Sequence, residues 1–395
     1  MKICQIVAYV SRDGAYGGPT TVAFAQCGAL SAENEVTLAA GWDGQAGQPT
    51  ADGIHRVYRR AYRPLRSFGS LASPALMAWF VRNARSFDIV HIHLGRDLMV
   101  MPLAMACRLL GVPYVVQTHG MVRFDGGWVQ RLYDVLLTRP VLRGAGRAFT
   151  LTQEESLALA AAGFQPALEE LRNAVPPQAQ QVPASVGSAP GTGLPTPAAE
   201  TAADSSASGN GRTGGSEEPV EVLFCSRLHQ RKRPELFVAA ASELHERHPG
   251  RFRFRVVGPD GGQLAVVTAA VSGFPPGHFT YDGPVAPEDV PDVFARADVL
   301  VLPSIDEPFP MVVLEALAHG LPAVIDETCG LAPIIGGRPG ARVVNASAAT
   351  VADAVESILD STTDEPRAAR ELAAAEFSLV RLREQLMAAY GPVAA

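Results

Sequence analysis

No run of about 18 apolar residues occurs in the 395-residue sequence, so no membrane-spanning helix is expected. The five cysteines are scattered without a CxxC pair, which argues against a disulfide framework or a zinc knuckle and favours a reducing, cytoplasmic setting. A basic excess is also missing, because 33 basic residues face 40 acidic ones, whereas general nucleic-acid binders carry a large surplus of cations. With 47% hydrophobic residues, we expect a globular protein, an enzyme by its size, with no nucleic-acid partner.

A change in composition at 174–219 divides the chain. This segment is rich in Ala, Gly, Pro, Ser and Thr and has no aromatic residue, so it is predicted to be a flexible linker or insertion. On either side, short apolar runs alternate with helical periodicity, which predicts an α/β fold of two doubly wound parallel sheets. We assign an N-terminal domain to 1–173, a C-terminal domain to 220–376 and a last helix to 377–395, for which the N-terminal domain is the candidate packing surface.

The predicted strands alternate with helices in both halves. They are expected at 2–9, 35–39, 55–58, 88–93, 113–118, 147–151, 220–226, 252–257, 278–282, 298–302, 322–325 and 342–344. One long helix is expected near 127–142. Since ligands of such sheets bind beyond the carboxyl ends of the strands, two facing sheets predict a substrate cleft between the domains.

A glycine-rich loop follows the first strand and opens a helix, with the sequence Gly14-Ala15-Tyr16-Gly17-Gly18-Pro19-Thr20. Glycine permits close approach of a ligand, and a helix N-terminus offers N–H donors to an anion. The loop lacks the spacing of a Walker A motif or a GxGxxG fingerprint, which weakens a P-loop ATPase or an ordinary NAD enzyme. A phosphate contact and a tight turn that needs glycine both remain open.

Four cations follow the first strand of the second half, in Ser226-Arg227-Leu228-His229-Gln230-Arg231-Lys232-Arg233-Pro234. Their place between the carboxyl end of a strand and a helix predicts an electropositive site for a diphosphate. A solvated basic loop is the alternative.

Glu315 lies among Val, Leu and Ala in a helix that follows the strand 298–302. A carboxylate in such surroundings needs a hydrogen-bonding partner, such as sugar hydroxyls, or a shifted pKa. Pairing with a nearby arginine is the alternative.

Three histidines follow or occupy predicted strands. His119, in Thr118-His119-Gly120, comes at the end of a strand where it can reach the cleft, although a structural role is open. His91 and His93 alternate on one strand and share a face. No metal site is predicted, because no carboxylate or cysteine joins them at ligand spacing and the sequence has no DxD motif.

Taken in order, these residues resemble the retaining GT-B glycosyltransferases of glycosyltransferase family 4. The resemblance covers nearly the whole chain outside 174–219. It rests on Gly17-Gly18, Asp88-Ile89-Val90-His91-Ile92-His93, Thr118-His119-Gly120, the pair Arg227 and Lys232, and above all Glu307 with Glu315 in the family's E-x7-E pattern. Leu171-Arg172-Asn173-Ala174-Val175 is similar to the family's Asn-Gly-Val stretch, with Ala174 in place of glycine.

The resemblance implies two Rossmann-like domains with a cleft between them. It implies transfer of a hexose-type sugar, with retention, from a nucleotide-diphosphate donor to a glycan, lipid-linked or small-molecule acceptor in cell-surface polysaccharide or glycolipid synthesis. No cofactor and no bound metal are implied. The expected mechanism is front-face transfer, in which the leaving phosphate helps to deprotonate the acceptor hydroxyl.

The resemblance also implies roles for individual residues. Arg227 and Lys232 would neutralise the departing diphosphate, and Glu307 would face the transferred sugar. The remaining contacts would come from Glu315 on the ribose hydroxyls, His119 beside the sugar and acceptor, the backbone of Phe309, Pro310 and Met311 on the sugar and phosphates, and Gly17 and Gly18 along the cleft. Many family members have glycine where this chain has Pro310, and since proline lacks an N–H, the donor preference is expected to differ.

An arginine-rich region lies in the predicted acceptor-side domain. Between Gly53 and Phe87 no acidic residue accompanies Arg56, Arg59, Arg60, Arg63, Arg66, Arg82 and Arg85. This region predicts contact with an anionic membrane at its inner face, or with a phosphorylated acceptor. A solvated surface is the alternative.

Two other functions fit the same motifs less well. A GT-B nucleotide-sugar epimerase pairs similar domains but depends on a different set of catalytic acids. A catalytically idle GT-B module that binds a nucleotide or a partner is left open by Pro310 and Ala174.

Overall fold

The computed structural model describes residues 1–10, 17–42, 53–63, 68–122, 124, 126–164, 167–175 and 219–394. These residues form two parallel sheets, of seven strands in the order β3-β2-β1-β4-β5-β6-β7 and of six in the order β10-β9-β8-β11-β12-β13. In each sheet the chain starts on a central strand, builds outward and then reverses, as in doubly wound folds. The predicted α/β fold with two Rossmann-like domains is confirmed.

The strands lie close to their predicted positions. The structure has β1 (Lys2–Val10), β2 (Glu35–Trp42), β3 (His55–Arg60), β4 (Ile89–His93), β5 (Tyr114–Gln117), β6 (Arg147–Thr150), β7 (Ala167–Glu170), β8 (Val220–Cys225), β9 (Phe252–Val257), β10 (Phe279–Tyr281), β11 (Val299–Leu302), β12 (Ala323–Asp326) and β13 (Ala341–Val344).

Helices connect and cover these strands. They are α1 (Gly17–Leu30), α2 (Pro74–Asn83), α3 (Val100–Leu110), α4 (Trp128–Tyr133), α5 (Arg139–Gly144), α6 (Gln153–Ala161), α7 (Pro234–Arg247), α8 (Leu264–Gly273), α9 (Val290–Arg296), α10 (Met311–His319), α11 (Ala332–Ile335), α12 (Ala348–Leu359), α13 (Glu365–Glu376) and α14 (Leu379–Ala394). Short 3-10 turns occupy Phe68–Ser70, Ala84–Ser86, Gln230–Lys232 and Pro287–Asp289, and a π-helical turn occupies Asp134–Thr138. None of the described helices is long and apolar enough to cross a membrane.

The central strands are covered on both faces. Every residue of β4 and of β11 is buried, as expected when helices pack on both sides of a parallel sheet. Their carboxyl ends are therefore anchored in the protein core, and the loops that follow them are held by rigid elements.

The last helix, α14, packs on the N-terminal domain although it follows the C-terminal one. Leu386 and Tyr390 are buried in one cluster with Ile3 and Val115, and the Tyr390 hydroxyl lies 2.6 Å from His91 Nδ1. The chain thus returns to its first sheet, and this return ties the two domains together.

Most of the predicted linker, 176–218, lies outside the described residues. Its first two residues, Ala174 and Val175, are buried, and the Val175 amide donates to the carbonyl of Phe377 at 3.0 Å. Arg172 beside them pairs with Glu376 at 2.8 Å. The chain therefore leaves the N-terminal domain at the same place where the last helix re-enters it.

Besides the short helix α11, which is not predicted, a strand and a helix differ from the sequence-based prediction. Strand β7 is not predicted, because its sequence Ala-Leu-Glu-Glu is half acidic, and as the outermost strand of its sheet it has no fully buried residue. The single helix expected near 127–142 is divided by the π-helical turn before Pro140. Proline has no N–H to donate within the helix, and a widened turn accommodates that loss.

Candidate functional site

Three of the predicted site residues follow the carboxyl ends of central strands. His119 lies two residues after β5, Arg227 two residues after β8 and Glu307 five residues after β11. Gly120 follows a strand of the first sheet, and Pro308 follows a strand of the second. These two loops adjoin, because a Cβ placed on Gly120 would lie 2.8 Å from Cγ of Pro308. We call the region where the His119–Gly120 turn adjoins the loop and helix 307–315 and the loop 227–233 the cleft site.

Lys232 and Glu307 form an ion pair in the cleft site. The Lys232 Nζ donates to Glu307 Oε1, with side chains only 16% and 10% exposed. The other carboxylate oxygen, Oε2, is buried and has no hydrogen-bond partner among the described residues. An unpartnered buried acceptor costs about 1–3 kcal/mol, so this oxygen is a place where a ligand hydroxyl would be bound favourably.

The other cations of the basic loop differ in their surroundings, since some are exposed and one is hydrogen-bonded within its own domain. Arg227 is exposed at the carboxyl end of β8, and a Cβ on Gly261 would lie 2.9 Å from its Cγ. Arg233 instead turns to Asp326 at 3.4 Å and to the carbonyl of Ala346 at 3.2 Å. The loop therefore presents fewer cations to a ligand than the sequence suggests, since Arg233 is held within its own domain.

Glu315 lies half-buried on α10. Burial raises the pKa of its carboxyl to about 7. Among the described residues no side chain donates a hydrogen bond to it, so the predicted alternative of an arginine partner is wrong within that part of the chain. Its unsatisfied carboxyl is available to hydroxyl donors of a ligand.

The stretch Phe309-Pro310-Met311 forms the entry to α10. Pro310 is the N-cap residue and Met311 is the first helical residue. Phe309 points away from the cleft, because it is 7% exposed and packs edge-on against Phe377 with ring centroids 6.0 Å apart. The contact of their backbone with a ligand stays a prediction.

Gly17 and Gly18 are the first residues of α1. The rest of the predicted glycine-rich loop, 14–16, lies outside the described residues. Gly18 does not have a positive φ, so a turn that needs glycine for its backbone conformation does not explain it. A Cβ on Gly18 would meet nothing within 4 Å, which leaves open space above the start of the helix.

His119 occupies a backbone conformation that few residues adopt. Its φ is 52° and that of Gly120 is 70°, a left-handed region that costs roughly 1 kcal/mol or more for a residue with a Cβ. Glu155 holds both sides of this turn, because its Oε1 accepts from the Thr118 hydroxyl at 2.5 Å and from the Gly120 amide at 2.6 Å. Oε2 accepts from the Leu151 amide at 2.8 Å.

The three histidines stack behind the cleft. The rings of His91 and His93 are 4.9 Å apart and inclined by 2°, and those of His93 and His119 are 5.0 Å apart and inclined by 15°. Burial lowers the pKa of His91 and of His119 to about 3 and also lowers that of His93. All three rings are therefore neutral near pH 7.

Two family models match the chain, a glycosyl transferase 4-like domain over residues 17–173 and glycosyl transferases group 1 over residues 219–361. A 2-deoxystreptamine glucosyltransferase of Streptomyces kanamyceticus is 31% identical over 74% of this chain and 74% of its own length. The chain belongs to the GT-B glycosyltransferases. The resemblance stated from the sequence motifs is confirmed.

A second relative matches a shorter part of this glycosyltransferase. A D-inositol 3-phosphate glycosyltransferase of Corynebacterium diphtheriae is 33% identical over 44% of the chain, and the match spans 42% of that relative's length. Among solved structures, Anabaena Alr3699/HepE in complex with UDP-glucose has a TM-score of 0.68 at 16% identity, with 98% of each chain covered. AviGT4, involved in avilamycin A biosynthesis, has a TM-score of 0.63 at 18% identity, with 100% of this chain and 98% of its own covered. At these identities the structures show the fold alone.

Two polar residues of this glycosyltransferase that lie around His119, Glu155 and Gln5, are not predicted as site residues from the sequence. Glu155 lies three residues after Thr152, in the spacing of a helix capping box, but that pattern predicts a bond to the Thr152 amide and not the observed bonds to Thr118 and Gly120. Gln5 is a polar residue within a buried strand, and its partner is His93, whose place on a strand is predicted. Such residues need partners, but the sequence does not say which.

Proposed function

We propose that this glycosyltransferase moves a hexose-type sugar, with retention of configuration, from a nucleotide-diphosphate donor to an acceptor hydroxyl, with no cofactor and no bound metal. The observation that carries the proposal is the Lys232–Glu307 pair, whose free carboxylate oxygen lies where the two domains adjoin. It supplies a fixed cation and a hydroxyl acceptor at one point.

The donor diphosphate is assigned to the basic loop of the C-terminal domain. Negative charge grows on the diphosphate as its bond to the sugar breaks, and preorganised cations stabilise that charge in the transition state. Arg227 and Lys232 supply these cations, and the N-terminus of α10, beginning at Met311, adds backbone donors. These cations and backbone donors would neutralise the charge of the diphosphate, as a metal ion does in other phosphate sites.

The sugar and ribose hydroxyls are assigned to the carboxylates and to His119. Glu307 Oε2 accepts from the transferred sugar, and His119 binds it from the N-terminal domain. Glu315, with no donor among the described side chains, accepts from the ribose. Gly17 and Gly18 line the diphosphate side of the cleft.

The chemistry proposed is front-face transfer through an oxocarbenium-like transition state. The leaving phosphate takes the proton of the acceptor hydroxyl while the new glycosidic bond forms on the face that the diphosphate leaves. A double displacement would need a carboxylate free to attack the anomeric carbon, whereas Glu307 accepts a hydrogen bond from Lys232 through one oxygen and is assigned to a sugar hydroxyl through the other. The contact between Gly120 and Pro308 supports closure of the domains around the donor, which excludes water and limits its hydrolysis.

The names of the relatives bear on the acceptor. Two are named for small acceptors, D-inositol 3-phosphate and 2-deoxystreptamine. A small-molecule acceptor is therefore favoured, while a glycan or lipid-linked acceptor, in polysaccharide or glycolipid synthesis, stays within the proposal.

Turnover with a panel of UDP-, GDP- and ADP-sugars, read as released nucleotide and as glycosylated product, tests the function. Arg227→Ala is expected to lower turnover by about 100-fold or more, because one charged donor to the leaving group is lost. Arg253→Ala is the matched control, since Arg253 is an exposed arginine near the amino end of β9. A wild-type rate in Arg227→Ala would contradict the diphosphate assignment, and a panel without transfer would favour the idle module.

Contact with the inner face of an anionic membrane, and hence a cytoplasmic location, is also proposed. Arg66 lies outside the described residues, but a second surface of the same domain supports the idea. From α4 into the π-helical turn five apolar side chains are 53–77% exposed, namely Trp128, Val129, Leu132, Val135 and Leu136. Arg131 and Arg143 are exposed nearby, whereas Asp134 is buried against Arg96.

Apolar side chains flanked by arginines suit an interfacial helix on anionic lipid. Cosedimentation with vesicles of anionic or of zwitterionic lipid tests the contact. Binding is expected to rise with anionic lipid and to fall in Leu132→Asp. Binding that is insensitive to both changes would contradict it.

A further inference from the structure

His93 links His119 to a glutamine inside the first strand. His93 Nδ1 lies 2.8 Å from His119 Nε2, and His93 Nε2 lies 3.0 Å from Gln5 Oε1. Gln5 and His93 are 0% and 2% exposed. Each ring nitrogen of His93 therefore has one buried partner, and no water is needed to complete its hydrogen bonds.

The direction of these hydrogen bonds follows from the chemistry of the glutamine oxygen. Gln5 Oε1 is a carbonyl oxygen and only accepts, so His93 carries its proton on Nε2. The Nδ1 of a neutral His93 is then unprotonated, so it can only accept a hydrogen bond. His119 must therefore donate to it from Nε2, and the Nδ1 of a neutral His119 is unprotonated.

The amide oxygen of Gln5 is the atom in contact with His93, at 3.0 Å from Nε2. The amide nitrogen of Gln5 is buried and has no hydrogen-bond partner among the described residues. The contact with His93 is therefore the side-chain hydrogen bond that these residues show for Gln5.

The bare nitrogen of His119 is the one that reaches solvent. Its Nδ1 has no hydrogen-bond partner among the described residues, and it is not among their fully buried unpartnered atoms. The next residue, Gly120, adjoins Pro308 of the opposite domain. The hydrogen bond to His93 thus fixes the ring of His119 at Nε2, and Nδ1 is available to a ligand in the cleft site.

We propose that Gln5 and His93 are positioning residues that hold His119 as its Nε2–H tautomer, so that its Nδ1 accepts a hydrogen bond from a hydroxyl of the bound sugar. The use of the sugar rests on the proposed function, but the tautomer does not. Glu155 fixes the backbone of the same turn, so that both the position and the hydrogen-bonding direction of the ring are set before the donor binds. A ring of the opposite tautomer would present an N–H there and would need an acceptor instead.

Nitrogen-15 NMR of the wild-type protein with labelled histidine tests the tautomer directly. The chain has 9 histidines, and the spectra of His119→Asn and His93→Asn assign the two signals. The expected result is a protonated Nε2 and an unprotonated Nδ1 for both residues, unchanged from pH 6 to pH 8. A protonated Nδ1 on His119, or an average of the two tautomers, would overturn the proposal whether or not the protein transfers sugar.

Two substitutions of His93 separate hydrogen bonding from packing. In His93→Asn the side-chain oxygen lies near the position of Nδ1 and can still accept from His119. In His93→Gln the amide lies near the position of Nε2, so the contact with Gln5 is kept and the acceptor for His119 is lost. In His93→Asn, the nitrogen signals of His119 are expected to remain those of the Nε2–H tautomer. In His93→Gln, they are expected to show an average of the two tautomers.

The same pair gives a kinetic test once the donor is known. The kcat/KM for the donor is expected to fall about tenfold more in His93→Gln than in His93→Asn, the effect of about one hydrogen bond. The affinity for the nucleotide alone should not differ between them, because that part is bound by the other domain. Equal losses in both variants would mean that His93 acts only through packing, and would overturn the proposal.

Discussion

Lys232 donates to Glu307 across the loops that follow two adjacent strands, β8 and β11. The pair lies 75 residues apart in sequence. It joins the residue assigned to the leaving diphosphate with the residue assigned to the transferred sugar. Lys232 thus has two tasks, since it keeps the Glu307 carboxylate in place and carries the charge that the leaving group meets.

These two tasks predict different results for single and double substitutions. Lys232→Met leaves the Glu307 carboxylate buried without its partner and is expected to lower the free energy of unfolding by about 1–3 kcal/mol. Lys232→Met with Glu307→Gln should recover most of that loss, because no buried charge remains. Turnover should stay about 100-fold or more below wild type in both. Denaturant unfolding and released nucleotide measure the two effects, and recovery of turnover in the double variant would contradict the role of Lys232.

Glu315 predicts a pH dependence of stability. Burial raises the pKa of its carboxyl from 4.5 to about 7, so the folded protein binds this proton more tightly than the unfolded chain does. The contribution of Glu315 to stability therefore falls as pH rises through this window. The stability of Glu315→Gln relative to wild type should increase from pH 4.5 to pH 7 in denaturant titrations. A difference that does not vary with pH would contradict the raised pKa of Glu315.

The same carboxyl predicts proton release when a nucleotide binds. Ribose hydroxyls that donate to Glu315 favour its charged form and lower its pKa. Calorimetry in two buffers of different ionisation enthalpy should show that wild type releases more protons near pH 7 than Glu315→Gln does. The titration of the phosphate itself is common to both proteins, so the difference isolates Glu315. Equal proton release in both would remove the ribose assignment.

Glu155 predicts a loss of activity without direct contact with the donor. Glu155→Gln replaces one of two accepting oxygens and breaks at least one of three hydrogen bonds to the Thr118–Gly120 turn and Leu151. We expect kcat to fall about tenfold, with nucleotide affinity unchanged. Glu154→Gln, at the exposed neighbouring position, is the control and should retain wild-type kinetics. Equal kinetics in the two variants would show that the turn does not need Glu155.

Gly120 predicts a steric effect that depends on the domain contact. Gly120→Ala adds a Cβ that would lie 2.8 Å from Pro308, at a φ of 70°. Gly111→Ala adds a Cβ at a φ of 67° with nothing within 4 Å, so it tests the backbone strain alone. Both variants should lose about 1 kcal/mol of stability, but only Gly120→Ala should lose turnover. Similar turnover in both would mean that the contact between the domains does not matter for transfer.

The sequence predicts the elements of this fold better than the partners of its polar residues. The two parallel sheets follow from short apolar runs that need no distant information, and only the acidic edge strand at Ala167–Glu170 is missed. His119, the cations of the basic loop and Glu307 do lie in loops after the carboxyl ends of strands, because that is where a doubly wound fold places its loops, whereas Glu315 lies within α10.

What the sequence does not show is which of these side chains bond to one another. Lys232 and Glu307 are predicted as separate contacts to a ligand, yet they are each other's partners. Arg233 is predicted with the other cations, and its bond to Asp326 depends on how two loops fold against each other. Gln5 is not predicted as part of the site, because its partner His93 is 88 residues away in sequence.

The most direct test of the account is the position of the diphosphate in a crystal structure of this protein with a nucleoside diphosphate. The two phosphates are predicted to lie between Arg227, Lys232 and the first turn of α10, with the ribose facing Glu315. A diphosphate bound away from these three groups would contradict it.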